Sequence, residues 1–314
     1  MFKTGINLSQ YSSYKIGGPA KQFSEPETVQ GIIKEVERAR REQMPVFVLG
    51  GGTNLLINDN GFAGLVLHPK LLQIKSESET ITAESGVLVS DLLEFAIDHG
   101  LSGLEWAGGL PGTLGGAIRG NAGAFGGEIK DCVKEVFSLN IKLEPPKIIK
   151  RSNTQCRFGY RSSIFKEFNG EEIVLAAVLQ LGAGKKNKIR AAIEEKISYR
   201  KEKHPMEYPN IGSIFKNVSL AAINQESQQL LKALDPNFPV KNDPFPVIPT
   251  AYLIAQAGLK GIANGGARVS EKHPNFIVNF NNAKASEVKK LISLVKIKVK
   301  EKFNIELEEE VIIL

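Results

Sequence analysis

Much of the chain's chemical potential lies in bare backbone. Gly50-Gly51-Gly52-Thr53-Asn54-Leu55-Leu56 follows directly on the apolar run Val46-Phe47-Val48-Leu49. A strand that ends in three glycines presents backbone N–H groups and two short polar side chains, a donor set suited to a pyrophosphate. It matches neither common phosphate loop. A dinucleotide fingerprint needs a third glycine where Leu55 stands, and a P-loop needs Gly-Lys-Ser/Thr, a test that Gly184-Lys185-Lys186 also fails. A second run, Pro111-Gly112-Thr113-Leu114-Gly115-Gly116-Ala117, lies in a stretch where nine of residues 108–127 are glycine, which reads as an ordered, ligand-facing loop. Either run alone reads equally well as a structural turn. Together they fit a dinucleotide, whose diphosphate and flat ring system they could line from two sides.

Other residues have a chemical and a bland reading. Arg161, beside an aromatic in Phe158-Gly159-Tyr160-Arg161-Ser162-Ser163, could clamp a carboxylate or phosphate, although a surface arginine is the commoner case. Ser213 follows Gly212 but matches no nucleophile elbow, and a lone serine is usually a turn residue. Glu308, Glu309 and Glu310 read by themselves as a solvated strand face, and His273 as an ordinary surface histidine. The four histidines form no zinc spacing, so no metal is expected. Cys132 and Cys156 are too few for a disulfide framework, which favours a reducing compartment.

The elements that must position these residues read as an α/β mixture. At 314 residues the chain has room for two or three domains. Val29, Ile32, Ile33 and Val36 mark an amphipathic helix with Thr28 as its cap, and Ser90 opens a second that Gly100 closes. A third follows Lys185 through Ile189, Ile193 and Ile197, and a long one carries Val288, Leu291, Ile292, Val295 and Val299. The five prolines between Asp235 and Pro249 predict a surface loop, and the alternation from Ile305 to Leu314 predicts a half-buried strand. The net charge of +6 favours anionic partners without marking a nucleic-acid binder. The N-terminus does not read as a signal peptide, and no apolar run is long enough for a membrane span. A cytoplasmic protein is expected.

Taken in order, the segments resemble the UDP-N-acetylenolpyruvoylglucosamine reductase family. The resemblance runs from Tyr14-Lys15-Ile16-Gly17-Gly18-Pro19-Ala20 through both glycine runs and Asn121-Ala122-Gly123-Ala124-Phe125-Gly126-Gly127-Glu128. It continues in Phe158-Gly159-Tyr160-Arg161, Gly212-Ser213-Ile214-Phe215-Lys216-Asn217 and Ser270-Glu271-Lys272-His273 to the C-terminus. It implies an α+β fold: a two-subdomain FAD-binding part of the vanillyl-alcohol-oxidase (PCMH) type, residues 1–65 and 66–182, and a substrate-binding domain, residues 183–314. The length resembles the family's shorter subgroup.

The resemblance further implies an NADPH-dependent oxidoreductase of peptidoglycan precursor synthesis that makes UDP-N-acetylmuramate. Arg161, Ser213 and Glu310 are then catalytic. Noncovalent FAD falls to Gly50, Gly51, Gly52, Thr53, Asn54, Leu55, Pro111, Gly112, Thr113, Gly115, Gly116, Asn121 and Gly123, and the substrate, a UDP-sugar, to Tyr160, Asn217 and His273. The sequence departs from the family pattern at Arg119, Gly120, Phe125, Val218, Glu309 and Ile312. Two alternatives remain at this stage: an FAD oxidase of the same flavin fold, and a basic protein that binds RNA or membrane through the lysine-rich stretches 185–203 and 284–302. Oligomeric state is not legible.

Overall fold

The computed structural model describes residues 2–168 and 170–314. Its contacts divide into two compact units. The first takes the chain up to Ile6, Pro19–Gly51 and Phe62–Arg200; the second takes Asn7–Gly18, Gly52–Gly61 and Lys201–Leu314.

The first unit is built around two larger sheets, one of four strands and one of five. In the four-stranded one, Pro19–Ser24 and Val46–Val48 both pair in parallel with Phe62–Leu67, as strands joined by a helical crossover can. The intervening helix Val29–Arg41 starts as expected, with the Thr28 hydroxyl accepting from Gly31 N at 3.0 Å. It buries Ile32, Val36 and Ala39 against Leu65 and Leu67. The expected subdomain boundary at residue 65 falls inside the strand Phe62–Leu67.

The second sheet is antiparallel, ordered Lys147–Ser152, Val133–Asn140, Glu172–Gln180, Thr80–Glu84, Ile74–Glu77. Its strand Glu172–Gln180 serves two cores. Ile173 and Leu175 join the cluster under helix Val29–Arg41, while Val174, Ala177 and Leu179 join a larger one under three other helices. Alternation alone would put Ile173 and Ala177 on one face. The register shift between Phe137 and Ser138, which leaves Leu175 opposite no residue, changes the phase.

Helix Val89–His99 starts one residue before the expected Ser90 and ends at Gly100, whose φ of +64° is the left-handed cap that glycine favours. Helix Lys186–Lys203 buries Ile189 and Ile193 in the first unit's larger core, so the chain as far as Arg200 belongs to that unit although a boundary was expected at 183. The glycine-rich stretch 108–127 is not simply a loop. It contains helix Leu114–Gly120 and the hairpin Gly123–Ala124/Gly127–Glu128, because Leu114, Ala117 and Ile118 supply an apolar helical face.

In the second unit, helix Ala285–Phe303 buries Val288, Leu291, Ile292, Val295 and Val299, all five expected positions. Tyr14 is fully buried, its hydroxyl donating to Ile277 O at 2.8 Å. Gly18 admits no side chain: a Cβ there would lie 2.2 Å from Asp59 O. Two expectations need correction. The proline-rich segment includes strand Pro246–Ile248, with Val247 and Ile248 buried, so only part of it is surface loop. The C-terminal segment alternates in burial, but only Ile312–Ile313 forms a strand, parallel to Leu55–Leu56; before it there is a single bridge, Phe215 to Glu309.

Among the described residues no helix is long and apolar enough to cross a membrane, and no cluster of His, Cys, Asp and Glu could hold a metal. Cys132 and Cys156 are free and buried, and burial pushes their thiol pKa values up to about 12 and about 11.

His68 gives the first unit a pH dependence. Its burial, with the Lys70 charge adding, outweighs Glu25 and lowers its pKa from 6.5 to about 4. The unfolded chain therefore binds this proton more readily, so the contribution to stability is complete above about pH 6.5 and is lost as pH falls toward 4. Urea midpoints followed from pH 7 to 4 should fall less steeply for His68→Phe than for the wild type; parallel slopes would contradict this.

Candidate active site

In the first unit the two glycine runs come together backbone to backbone. A Cβ on Gly51 would lie 2.7 Å from Gly112 Cα, one on Gly50 would lie 2.9 Å from Thr113 Oγ1, and one on Gly115 would lie 2.9 Å from Ser85 Cβ. Three N–H groups of the second run, two of them on expected FAD residues, are engaged internally. Leu114 N and Gly115 N donate to Val87 O and Ser85 O, each at 2.9 Å, and Gly116 N donates to Thr113 Oγ1 at 3.4 Å. The N–H groups of Gly50, Gly51, Gly112 and Thr113 donate to no acceptor among the described residues. Unpaired backbone donors beside a gap that a side chain would close fit an anionic diphosphate. On this observation the residues present suit FAD.

Asn121 is fully buried at the end of helix Leu114–Gly120 with φ +43°. Its amide is committed within the protein: Nδ2 donates to Gly159 O at 2.9 Å, and Oδ1 accepts from Lys130 N at 3.2 Å. This fastens the turn in which Gly159 and Ser162 exchange backbone hydrogen bonds of 3.0 and 3.1 Å. Arg161 occupies that turn at φ +53°, a strained setting for a long side chain, as found at ligand clamps. Its Nη2 donates to Gly123 O at 2.9 Å, and its guanidinium carbon lies 5.1 Å from the centre of the Tyr160 ring. Gly123 is required here, since a Cβ would come 2.7 Å from Glu128 Cγ and 3.3 Å from Arg161 Nη1.

The second unit holds Ser213, Asn217, His273 and Glu310, together with Gly52, Thr53, Asn54 and Leu55. Glu310 N donates to Ile214 O at 2.8 Å and Lys216 N to Glu308 O at 2.9 Å, so the segments carrying Ser213 and Glu310 lie side by side. Asn54 joins them: Nδ2 donates to Glu310 O, and its own carbonyl accepts from Ile312 N, both at 3.1 Å. The three consecutive glutamates thus differ in setting. Glu308 pairs with Lys216, Glu309 pairs with Lys296 at 2.9 Å, and Glu310 is held through its backbone. Gly212, at φ +81°, turns the chain into Ser213, whose hydroxyl bonds to no other described residue.

Sequence reasoning missed Asn275. This buried amide accepts from Phe215 N at 3.0 Å and donates to Phe215 O at 2.8 Å, while its carbonyl accepts from Ile214 N at 2.8 Å. The segment after Ser213 is clamped by one side chain, and a single asparagine carries no pattern that would reveal it. Asn217 Oδ1 accepts from Thr250 N at 3.1 Å. His273 packs 4.8 Å from Phe276 and 5.3 Å from His204, and burial lowers its pKa to about 4, so it is neutral at pH 7.

Comparison with known proteins accounts for both units. Residues 20–140 match the family model "FAD binding domain", and residues 204–314 match "UDP-N-acetylenolpyruvoylglucosamine reductase, C-terminal domain". A reductase of that name from Syntrophomonas wolfei is 39% identical over 97% of this chain and 92% of its own, and one from Listeria monocytogenes strain HCC23 shows the same values. The crystal structure of the enzyme from Thermus caldophilus, 27% identical, superposes with a TM-score of 0.75 over 100% of this chain and 99% of that one. The mixed α/β fold therefore combines an FAD-binding part with a C-terminal domain of the kind found in these reductases. With relatives this similar along nearly the whole chain, it belongs to the UDP-N-acetylenolpyruvoylglucosamine reductase family.

Proposed function

We propose that the protein reduces UDP-N-acetyl-enolpyruvoylglucosamine to UDP-N-acetylmuramate with NADPH, a step of peptidoglycan precursor synthesis carried out in the cytoplasm. The observation that carries this reading is the side-chain-free gap between Gly51 and Gly112 in a chain of this family. The net charge of +6 suits two anionic ligands, NADPH and a uridine diphosphate sugar. The RNA- or membrane-binding alternative is not favoured, because helix Lys186–Lys203 buries Ile189 and Ile193, and helix Ala285–Phe303 buries Val288, Leu291, Ile292, Val295 and Val299, in the protein's own cores.

When bound, FAD would supply hydride transfer, taking hydride from NADPH and passing it to the β carbon of the enol ether. The protein's residues do the rest. N–H groups of Gly50, Gly51, Gly112 and Thr113 hold the cofactor's diphosphate, and Gly52, Thr53, Asn54, Leu55, Pro111, Gly115, Gly116, Asn121 and Gly123 shape its surroundings. As hydride adds at the β carbon, charge builds on the α carbon and carboxylate of the substrate. The planar Arg161 guanidinium binds that carboxylate, and a protonated Glu310 carboxyl donates to the same developing charge. Ser213 Oγ–H then delivers the proton to the α carbon, completing addition across the double bond. Tyr160, Asn217 and His273 contact the substrate, His273 as a neutral imidazole.

Two half-reactions separate these roles. In anaerobic stopped-flow absorbance, Ser213→Ala should slow reoxidation of reduced flavin by the enolpyruvyl substrate about 10²–10⁴-fold while NADPH reduces the flavin at a near-normal rate. Comparable slowing of both steps would reject the proton-donor role, and a wild type whose flavin the enolpyruvyl substrate does not reoxidise would reject the function itself.

Arg161→Lys is expected to fail as a conservative change, because a point ammonium cannot make the bidentate contact. Substrate-driven reoxidation should fall roughly 10²-fold or more, with flavin reduction intact. Turnover within twofold of wild type would remove Arg161 from the carboxylate site.

A further inference from the structure

Helix Leu114–Gly120 has two unlike faces. Leu114, Ala117 and Ile118 are buried, whereas Gly115, Gly116, Arg119 and Gly120 form the other side. Arg119 follows Gly115 by four residues and Gly116 by three, so the three share one helical face. That face is open at Gly120, where a Cβ would meet nothing within 4 Å, and nearly so at Gly116, where it would meet only Thr113 Oγ1 at 3.6 Å.

Arg119 is half-buried on this face, and among the described residues its guanidinium has no hydrogen-bond, ion-pair or ring partner. Other arginines of the first unit that are not fully exposed have one: Arg38 meets Glu35, Arg151 meets Glu172, Arg161 meets Gly123 O and Arg200 meets Gly108 O. Nor do the carbonyls at the helix end need Arg119. Ala117 O accepts from Ala122 N, Ile118 O from Asn121 N, and Arg119 O from Ser163 Oγ. Burial pulls its pKa below the ordinary arginine value, with no neighbouring charge to offset this. A guanidinium stays charged in a protein, so a half-buried one with no acceptor among the described residues is open to an anionic partner.

We propose that Arg119 is a cofactor-facing cation that meets the anionic charge of bound FAD, an inference that rests on the FAD reading above. Bound FAD would bring two anionic groups. The diphosphate is held at the start of the helix, about 9 Å along the axis from Arg119, and helical side chains lean back toward that end. The flavin ring, which becomes anionic on two-electron reduction, is the other.

The test compares Arg119→Gln, Arg119→Lys and, as a control for lost surface charge, Arg41→Gln in protein purified with its flavin. FAD affinity is read by recovery of flavin fluorescence on dilution, and the two-electron midpoint potential by equilibration with a reference dye. Pairing with the diphosphate predicts about tenfold weaker binding of oxidised FAD by Arg119→Gln at an unchanged potential. Pairing with the reduced ring predicts that the potential drops by about 30 mV for each tenfold loss of preference for the reduced form. In either case Arg119→Lys should recover most of the effect and Arg41→Gln should show none.

Affinity and potential both at wild-type values in Arg119→Gln would overturn the proposal. So would a loss that appears equally as reduced thermal stability of the flavin-free protein and is not rescued by lysine. Wild-type protein that takes up no FAD would instead overturn the reading beneath it, and the inference with it.

Discussion

The feature on which the proposed chemistry most depends is the approach of two backbones without side chains between them. At Gly51 and Gly112 the gap is smaller than one methyl group requires, and the four N–H groups beside it have no acceptor among the described residues. Leaving such donors unpaired costs free energy unless a ligand or water accepts from them. The surrounding elements explain how this arrangement persists. The strand Val46–Val48 delivers Gly50, the Thr113 cap orients helix Leu114–Gly120, and the carbonyls of Ser85 and Val87 fix the next two N–H groups. The loop is rigid where its donors are engaged and available where they are not.

The second unit positions the residues proposed to react in a similar way, through backbone. Ser213 and Glu310 sit on adjacent segments joined by main-chain bonds, and Asn275 and Asn54 fasten those segments with side-chain amides. A serine at the end of a turn has few torsions to lose, so fixing the main chain fixes most of its position. The long cationic side chains of Lys216 and Lys296 hold the neighbouring Glu308 and Glu309.

Local features were legible in the sequence. The Thr28 cap, the Gly100 stop and the five buried positions of helix Ala285–Phe303 follow from short-range geometry, which one sequence contains. Features decided by distant pairing were not. The C-terminal segment has the alternation of a strand, yet its neighbours supply one bridge and one two-residue ladder, so the pattern records burial without a sheet. The bulge at Leu175 and the clamp at Asn275 depend on partners tens of residues away. Glycine content identified the first unit's loops, but could not reveal that Gly115 and Gly116 use their N–H groups internally. The roles of Arg161, Ser213 and Glu310 came from resemblance, since each residue alone has a commoner bland reading.

The most direct test of this account is flavin content after Gly51→Val. A branched side chain at that point must displace Gly112 or itself. The account predicts a folded protein, with far-ultraviolet circular dichroism like that of the wild type, that purifies nearly colourless and binds added FAD at least about tenfold more weakly. Stoichiometric flavin held with wild-type affinity would contradict it, because the side-chain-free gap would then have no bearing on the cofactor.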